Sequence, residues 1–448
     1  MTGAADWSSR QLHFVGIGGA GMSGWAAVAA ELGATVSGSD AVDSPTLAAL
    51  REQGIKVYAG HSASHLPSIE ATEVVRSSAI SDINPELVAA RERGLPVMER
   101  AELLAELTAL RRTIAVAGAH GKTTTSSMLA QVLIECGLDP GYLIGGELRS
   151  SGRNAAWGSG EWLVVEADES DRSMLALNVE VAVVTNVELD HHASYRSLAE
   201  LREVFRSFVS RPAAAVIPNS PELLELRGDR PVVAFEVGSL ELRPNGSQFD
   251  WRGQQVTLNV GGAHNASNAV AALEAALLAG VEQHDAALAI GSFSGVGRRF
   301  EQLGRSEAGA LIIDDYAHHP TEIAATIAAA RTLSSKRVVA VFQPHLYSRT
   351  ERLASEFGRA LAAADVVCVL DVYEAREKQV DFPGVDGRLI AAAAADAGGG
   401  KEVLWLPEFG DALAQLKLRL RADDSCLILG AGDVRSLGET LVAEPSSR

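Results

Sequence analysis

Short apolar, β-branched runs alternate with Ala- and Leu-rich stretches of helical spacing along almost the whole chain. Residues 113–117 form the clearest run, continuous in the way a strand buried on both faces requires. Behind it, apolar residues recur at Met128, Leu129, Val132, Leu133 and Cys136 on one helical face, and Gly137 ends the pattern. The same order precedes and follows this unit. The spacing predicts strands at 35–39, 56–58, 73–76 and 97–98 ahead of it, and at 162–165 and 179–185 within it. Further strands are expected at 310–313, 337–342, 365–370, 402–406 and 426–429. Between Pro231 and Val260 helical spacing gives way to β patterning, expected to supply edge strands of the central sheet.

Alternation of this kind builds α/β domains on parallel sheets. With 448 residues there is length for about three, at roughly 150 each. We place them at 1–108 (N-terminal, Rossmann-like), 109–304 (central, P-loop-type) and 305–448 (C-terminal, Rossmann-like).

In such sheets chemistry gathers at the C-terminal ends of strands. After the 113–117 run comes Gly118-Ala119-His120-Gly121-Lys122-Thr123-Thr124, then the helix. Loop amides and a helix N-terminus suit a phosphate, the lysine can reach a terminal phosphate, and the threonine hydroxyl can ligate Mg²⁺. The loop is shorter than the usual P-loop, because Val116 stands where that pattern has its first glycine. Gly16-Ile17-Gly18-Gly19-Ala20-Gly21-Met22-Ser23-Gly24 follows the first strand, and the second strand ends at Asp40. Taken alone this fits a dinucleotide, but it guarantees only a helix N-terminus open to a diphosphate, which nucleotide sugars also carry. Ser77 and Ser78 end another strand, where a ligand contact and an ordinary cap are both open readings.

The strand at 162–165 ends in Glu166-Ala167-Asp168-Glu169-Ser170-Asp171, and the strand at 179–185 leads to Asp190-His191-His192. Carboxylate oxygens suit Mg²⁺, and a nearby histidine can serve a second metal position. Glu166 and His191 read as site residues, while Asp168, Glu169 and Asp171 read equally as a solvated loop. Asn265 and Asn268 share a face at a helix start, either as caps or as partners for a purine edge. Arg298 and Arg299 offer two fixed positive charges, and polar residues crowd 314–320 and 343–350.

Composition narrows the class. Thirty-nine basic against 57 acidic residues leave a net charge of −18, which argues against nucleic acid or anionic membrane as main partner. No apolar run is long enough to span a bilayer, and the start lacks the order of a signal peptide. Cys136, Cys368 and Cys426 have no metal or disulfide spacing, which suits a reduced, cytoplasmic setting.

The motifs from Gly16 to Gly24, Gly118 to Thr124 and Glu166 to Asp171, then Asp190-His191, His264 to Asn268, Gly297 to Phe300 and Asp314 to Pro320, occur in one order. Together they resemble the Mur ligases of peptidoglycan synthesis across essentially the whole chain, and most closely the branch that attaches L-alanine. The resemblance implies a sugar-nucleotide domain, a central ATPase and a C-terminal domain that closes over both. It implies that UDP-N-acetylmuramate, L-alanine and ATP give the alanyl product, ADP and phosphate through an acyl phosphate. By the same match Gly118 to Thr124 bind ATP, with Lys122 on its phosphates. Thr123 and Glu166 hold one Mg²⁺ and His191 helps with a second, Asn265 and Asn268 face adenine, and Arg299 and Asp315 reach phosphates and ribose. Gly18, Gly19, Ala20, Gly21, Met22, Ser23 and Asp40 take the UDP part, with Ser77 and Ser78 beside them. Tyr316, His319, His345 and Arg349 hold the amino acid. Lys122, Glu166, His191 and Arg299 would be the catalytic set.

Two departures stand out. Leu346 occupies a place where many such sequences carry a second arginine. No lysine lies between Lys122 and Lys336, so a carbamoylated lysine in the central domain is impossible. Three rival readings remain: an NAD-dependent dehydrogenase, a non-enzymatic nucleotide switch, and a related ligase that adds a preformed peptide or another amino acid. The first leaves the phosphate loop unexplained, and the second leaves the sugar-nucleotide turn unexplained.

Overall fold

The computed structural model describes residues 6–69, 71–190, 194–333 and 336–442. The chain divides into two compact units, residues 1–236 with 268–290, and residues 237–267 with 291–448.

In the first unit Gln11–Val15 is the middle of a five-stranded parallel sheet. Thr35–Asp40 and Lys56–Ala59 extend it on one side, Thr72–Arg76 and Val97–Glu99 on the other. The strand order reverses beside Gln11–Val15, so the turn that follows it opens at the crevice where such sheets bind ligands. Leu12, Phe14 and Val15 are fully buried, the apolar content that holds this strand in the centre. The helix Ala20–Glu31 leaves the turn and lies against Arg153–Ala156. Gly24 permits that approach, since a β-carbon there would lie 2.9 Å from the Ala155 methyl.

The second sheet of this unit has seven strands. Arg112–Ala117 is central, between Val181–Val184 and Trp162–Glu166. Ala214–Pro218 and Val233–Phe235 continue one side, and the hairpin Gly141–Leu148 and Arg153–Ala156 the other. All pairs are parallel except within the hairpin. The phosphate loop, Glu166 and the residues after Val184 therefore leave three adjacent strands at the same end.

The second unit holds a six-stranded sheet in the order Glu301–Arg305, Leu311–Asp315, Asp424–Leu429, Arg337–Phe342, Val366–Val369, Glu402–Trp405. Only its first pair is antiparallel. The sheet thus takes in residues ahead of the junction expected at 304/305.

The β-patterned stretch corrects one expectation. Val233–Phe235 does edge the central sheet, but Leu240–Arg243, Gly246–Trp251 and Gln254–Leu258 form a separate antiparallel meander. The turns decide it. Asn245, Arg252 and Gly253 adopt positive φ (61°, 52° and 79°), which makes tight hairpins. Joining a parallel sheet needs a crossover of about a dozen residues, which these connections lack.

Among the described residues no helix is long and apolar enough to cross a membrane.

Candidate functional site

The phosphate loop is shaped by its glycines and held by its neighbours. Gly121, at φ 79°, precedes the helix Lys122–Glu135, and Gly118 has φ 146°. A β-carbon on Gly118 would lie 2.0 Å from Thr185 Oγ1, and one on Gly121 would lie 2.5 Å from Asn268 Oδ1. The His120 N–H donates to Asn186 Oδ1 at 3.0 Å. The His120 carbonyl accepts from Thr185 Oγ1 at 2.6 Å and Asn186 Nδ2 at 2.8 Å. His120 also approaches Glu188, Nε2 to Oε2, at 3.3 Å. Thr185 and Asn186 were not candidates in the sequence. Their signal is that polar residues directly end an apolar strand beside the loop.

Lys122 Nζ donates to the Gly118 carbonyl at 2.6 Å and to both oxygens of Glu169 at 3.0 and 3.1 Å. Burial works to lower the lysine pKa, but Glu169, Asp168 and Glu166 together outweigh it and hold it above the usual value. Lys122 is therefore a fixed cation in a carboxylate cage. This overturns the solvated-loop reading for Glu169, whereas Asp171 remains exposed at the surface. Glu169 is only 1% exposed, and Arg100 bonds both Asp168 (3.0 Å) and Asp171 (2.5 Å).

Thr123 Oγ1 donates to Glu166 Oε2 at 2.9 Å, and the Gly145 N–H donates to the same oxygen at 2.8 Å. Two hard oxygen ligands thus meet at the helix N-terminus, a donor set that fits Mg²⁺. A β-carbon on Gly145 would lie 2.5 Å from Glu166 Oε2 and 2.9 Å from Thr123 Oγ1. Glycine leaves that pair uncovered. Thr124 is buried in the first helical turn. His191 lies outside the described residues.

At the first sheet, Gly16 has φ 84°, and the Gly16 and Ile17 N–H groups both donate to the Ser39 carbonyl. The Gly18 N–H donates to Asp40 Oδ2 at 2.8 Å, so Asp40 braces the turn itself. Gly19 precedes the helix that Ala20 opens and Gly21 continues, while Met22 and Ser23 are buried. Ser77 adjoins Gly16, whose added β-carbon would lie 3.0 Å from Ser77 Cβ. Its hydroxyl accepts the Ala79 N–H at 3.4 Å, and Ser78 is exposed.

In the second unit Asp315 accepts from the N–H groups of Phe300 (2.7 Å) and Ala317 (2.8 Å). Burial pushes its carboxyl up to about 6, against the opposing charge of Arg299. The two arginines divide their work. Arg298 donates to the carbonyls of Gly430 and Gly432, and Arg299 sits 3.8 Å from Glu322. Both lie over the Tyr316 ring at 4.9 Å. From Tyr316 a chain of ring contacts runs through His318 and His345 to Tyr373, with centroid spacings of 5.3, 6.0 and 5.9 Å. His345 is 3.2 Å from Arg349. His318 and Tyr373 are the additions here. They belong to polar strand ends, but no spacing rule marks them. His319 caps the helix Pro320–Arg331, its ring accepting the Thr321 N–H. Leu346, the departure from the family pattern, is buried at φ 71°, and its N–H donates to the Tyr373 carbonyl at 3.1 Å. Asn265 is buried and donates to the Gly261 carbonyl at 2.7 Å, while Asn268 abuts Gly121.

A glycine loop whose threonine meets a carboxylate belongs to proteins that handle nucleoside triphosphates, and this chain adds a nucleotide-type sheet before it and another after it. Three family descriptions match in succession: "Mur ligase family, catalytic domain" over residues 11–112, "Mur ligase middle domain" over 116–276 and "Mur ligase, glutamate ligase domain" over 298–432. The UDP-N-acetylmuramate–L-alanine ligase of Streptomyces griseus subsp. griseus is 44% identical, with 96% of each chain covered. The ligase of the same name from Mycobacterium sp. (strain JLS) is 43% identical over 98% of this chain and 96% of its own. Among solved structures, UDP-N-acetylmuramate–alanine ligase of Thermotoga maritima superposes with a TM-score of 0.83 at 29% identity, over 96% of this chain and 98% of that one. The chain belongs to the Mur ligase family, and its fold is the three-domain α/β architecture of that family.

Proposed function

We propose that the protein joins L-alanine to the lactyl carboxylate of UDP-N-acetylmuramate at the expense of ATP, in the cytoplasmic synthesis of peptidoglycan precursor. The observation that carries the reading is the near-full-length likeness to ligases of that name, together with the Lys122–Thr123–Glu166 arrangement on the central sheet.

The chemistry takes two displacements. A carboxylate oxygen of the sugar attacks the γ-phosphorus of ATP, the bond to the β,γ-bridging oxygen breaks, and ADP leaves. The alanine amine then attacks the acyl-phosphate carbonyl, the carbon–oxygen bond breaks, inorganic phosphate leaves, and the nitrogen gives up a proton. Both steps bring anions or a poor nucleophile together, so the protein's task is positioning and charge neutralisation.

Lys122 is suited to the β- and γ-phosphates, because its charge is fixed and its partners Glu169 and Gly118 restrict its reach. The loop amides from Gly118 to Thr124 cradle the same phosphates. Thr123 and Glu166 would hold Mg²⁺, which neutralises phosphate charge when bound, and His191 is assigned to a second ion by resemblance. Arg299, Asp315, Asn265 and Asn268 are assigned to ATP on the resemblance. Gly18 to Ser23, Asp40, Ser77 and Ser78 are assigned to the sugar nucleotide, and Tyr316, His319, His345 and Arg349 to the amino acid. The domain limits 1–108, 109–304 and 305–448 belong to the same proposal.

The test is phosphate release from ATP with UDP-N-acetylmuramate, run against a panel of amino acids and the preformed peptide. Release that requires L-alanine supports the reading. Release with the peptide and not with alanine would move the protein to a neighbouring branch.

A further inference from the structure

Under the first sheet lies a polar cluster that the residues assigned above do not include. Glu86 has no exposed surface. Its carboxylate accepts from His13 Nε2 at 2.8 Å, Ser39 Oγ at 2.8 Å and the Ser62 N–H at 3.0 Å. His61 Nδ1 stands 3.3 Å away and His65 Nδ1 3.4 Å. His13 is also fully buried, its other ring nitrogen on Ser37 Oγ at 2.8 Å. His65 stacks on Tyr58 with centroids 4.2 Å apart.

A buried carboxylate is costly unless every lone pair is used, and the sheet could have closed this space with a leucine. What distinguishes Glu86 is where its partners lead. Ser39 is the penultimate residue of the strand Thr35–Asp40, and its carbonyl holds the Gly16 and Ile17 N–H groups at 2.8 and 2.9 Å. The next residue, Asp40, holds Gly18 by its side chain and Gly60 by its carbonyl (2.7 Å). Ser62 and His61 belong to the loop after Lys56–Ala59, and Glu86 follows Asn84, which caps the helix Pro85–Glu92. One carboxylate therefore ties together the glycine turn, the 60–65 segment and the first turn of the helix Pro85–Glu92, all at one end of the sheet. Burial pushes its carboxyl up, and the bonds from His13, Ser39 and Ser62 more than offset this, leaving it below the ordinary glutamate value.

We propose that Glu86 is a positioning residue for the sugar-nucleotide site, holding these three segments in the arrangement that receives the UDP group. The inference rests on the assignment of that site under Proposed function. Glu86 acts through the Ser39 hydroxyl and the Ser62 amide, so it governs binding at this sheet and leaves the phosphate loop of the other sheet alone.

Glu86→Gln keeps the shape and removes the charge. In the full-length enzyme its KM for UDP-N-acetylmuramate should rise about tenfold or more, with the KM for ATP within about twofold of the parent. Glu86→Asp, charged but shorter, should fall between. Two results would overturn the proposal: an unchanged sugar-nucleotide KM in the folded variant, or equal rises in both KM values, the mark of a purely structural role. Should Glu86→Gln not fold, Ser39→Ala cuts the link to the glycine turn and must give the same split. Titration of the unmodified protein with UDP separates the two levels. No binding there would strike at the assigned site, whereas binding with no Glu86 dependence would strike at this inference alone.

Discussion

Gly145→Ala puts a methyl group into the Thr123–Glu166 pair. The new β-carbon would lie 2.5 Å from Glu166 Oε2, where ordinary contact begins at 3.4 Å, so the carboxylate must retreat by roughly one ångström. That movement breaks two bonds to the same oxygen, from the Gly145 N–H and from Thr123 Oγ1. Hydrogen bonds to a charged group contribute about 1.5–3 kcal/mol. Losing even one of the two should weaken Mg²⁺ use roughly 10- to 150-fold. Folding should barely notice, because Gly145 is exposed and is not among the positive-φ residues, and the displaced atoms end a flexible side chain. The assay is phosphate release as a function of Mg²⁺, alongside a thermal melt. We expect the half-saturating Mg²⁺ to rise at least about tenfold, with a melting shift under about 3 °C. An unchanged Mg²⁺ titration would refute the metal role of the Thr123–Glu166 pair.

Lys122→Ala should lower turnover by about two to four orders of magnitude through lost phosphate charge stabilisation, and near-normal phosphate release would reverse the assignment of the loop. Gly121→Ala forces a side chain to φ 79° and into Asn268. It should raise the KM for ATP and cost about 1–3 kcal/mol of stability, read together by kinetics and urea unfolding. Asp315 titrates near 6 in the fold against 3.8 in the open chain, so the folded state binds the extra proton. Its contribution is full below about pH 4 and is lost as pH rises through about 6, an effect on the order of 3 kcal/mol. Asp315→Asn should therefore flatten the stability–pH curve over that window, and parallel curves for the two proteins would contradict the buried carboxyl.

Local order was legible because it is written in short-range chemistry. The run before Gly118, the helical spacing after Lys122 and the stop at Gly137 involve neighbours in the chain, and strand and helix stand where the pattern puts them. The parallel α/β class followed from the same alternation, and the motif order was enough to carry the family. What the sequence left open depends on partners far along the chain. Nothing local says that Glu169 folds under Lys122 rather than into water, for the ion pair exists only because adjacent parallel strands bring residue 122 beside residue 169. Thr185 and Asn186 brace the loop because the strand they follow, Val181–Val184, pairs with Arg112–Ala117, a register set by the sheet. The meander at 240–258 separated from the central sheet because its turns close too tightly for a crossover. Glu86, an ordinary acid after Asn-Pro in the sequence, becomes a five-partner hub only when Gln11–Val15, Thr35–Asp40, Lys56–Ala59 and Thr72–Arg76 align. Composition and periodicity thus decide which segments are buried, while pairing decides which polar groups meet, because a buried charge is tolerated only where the fold delivers its counterpart.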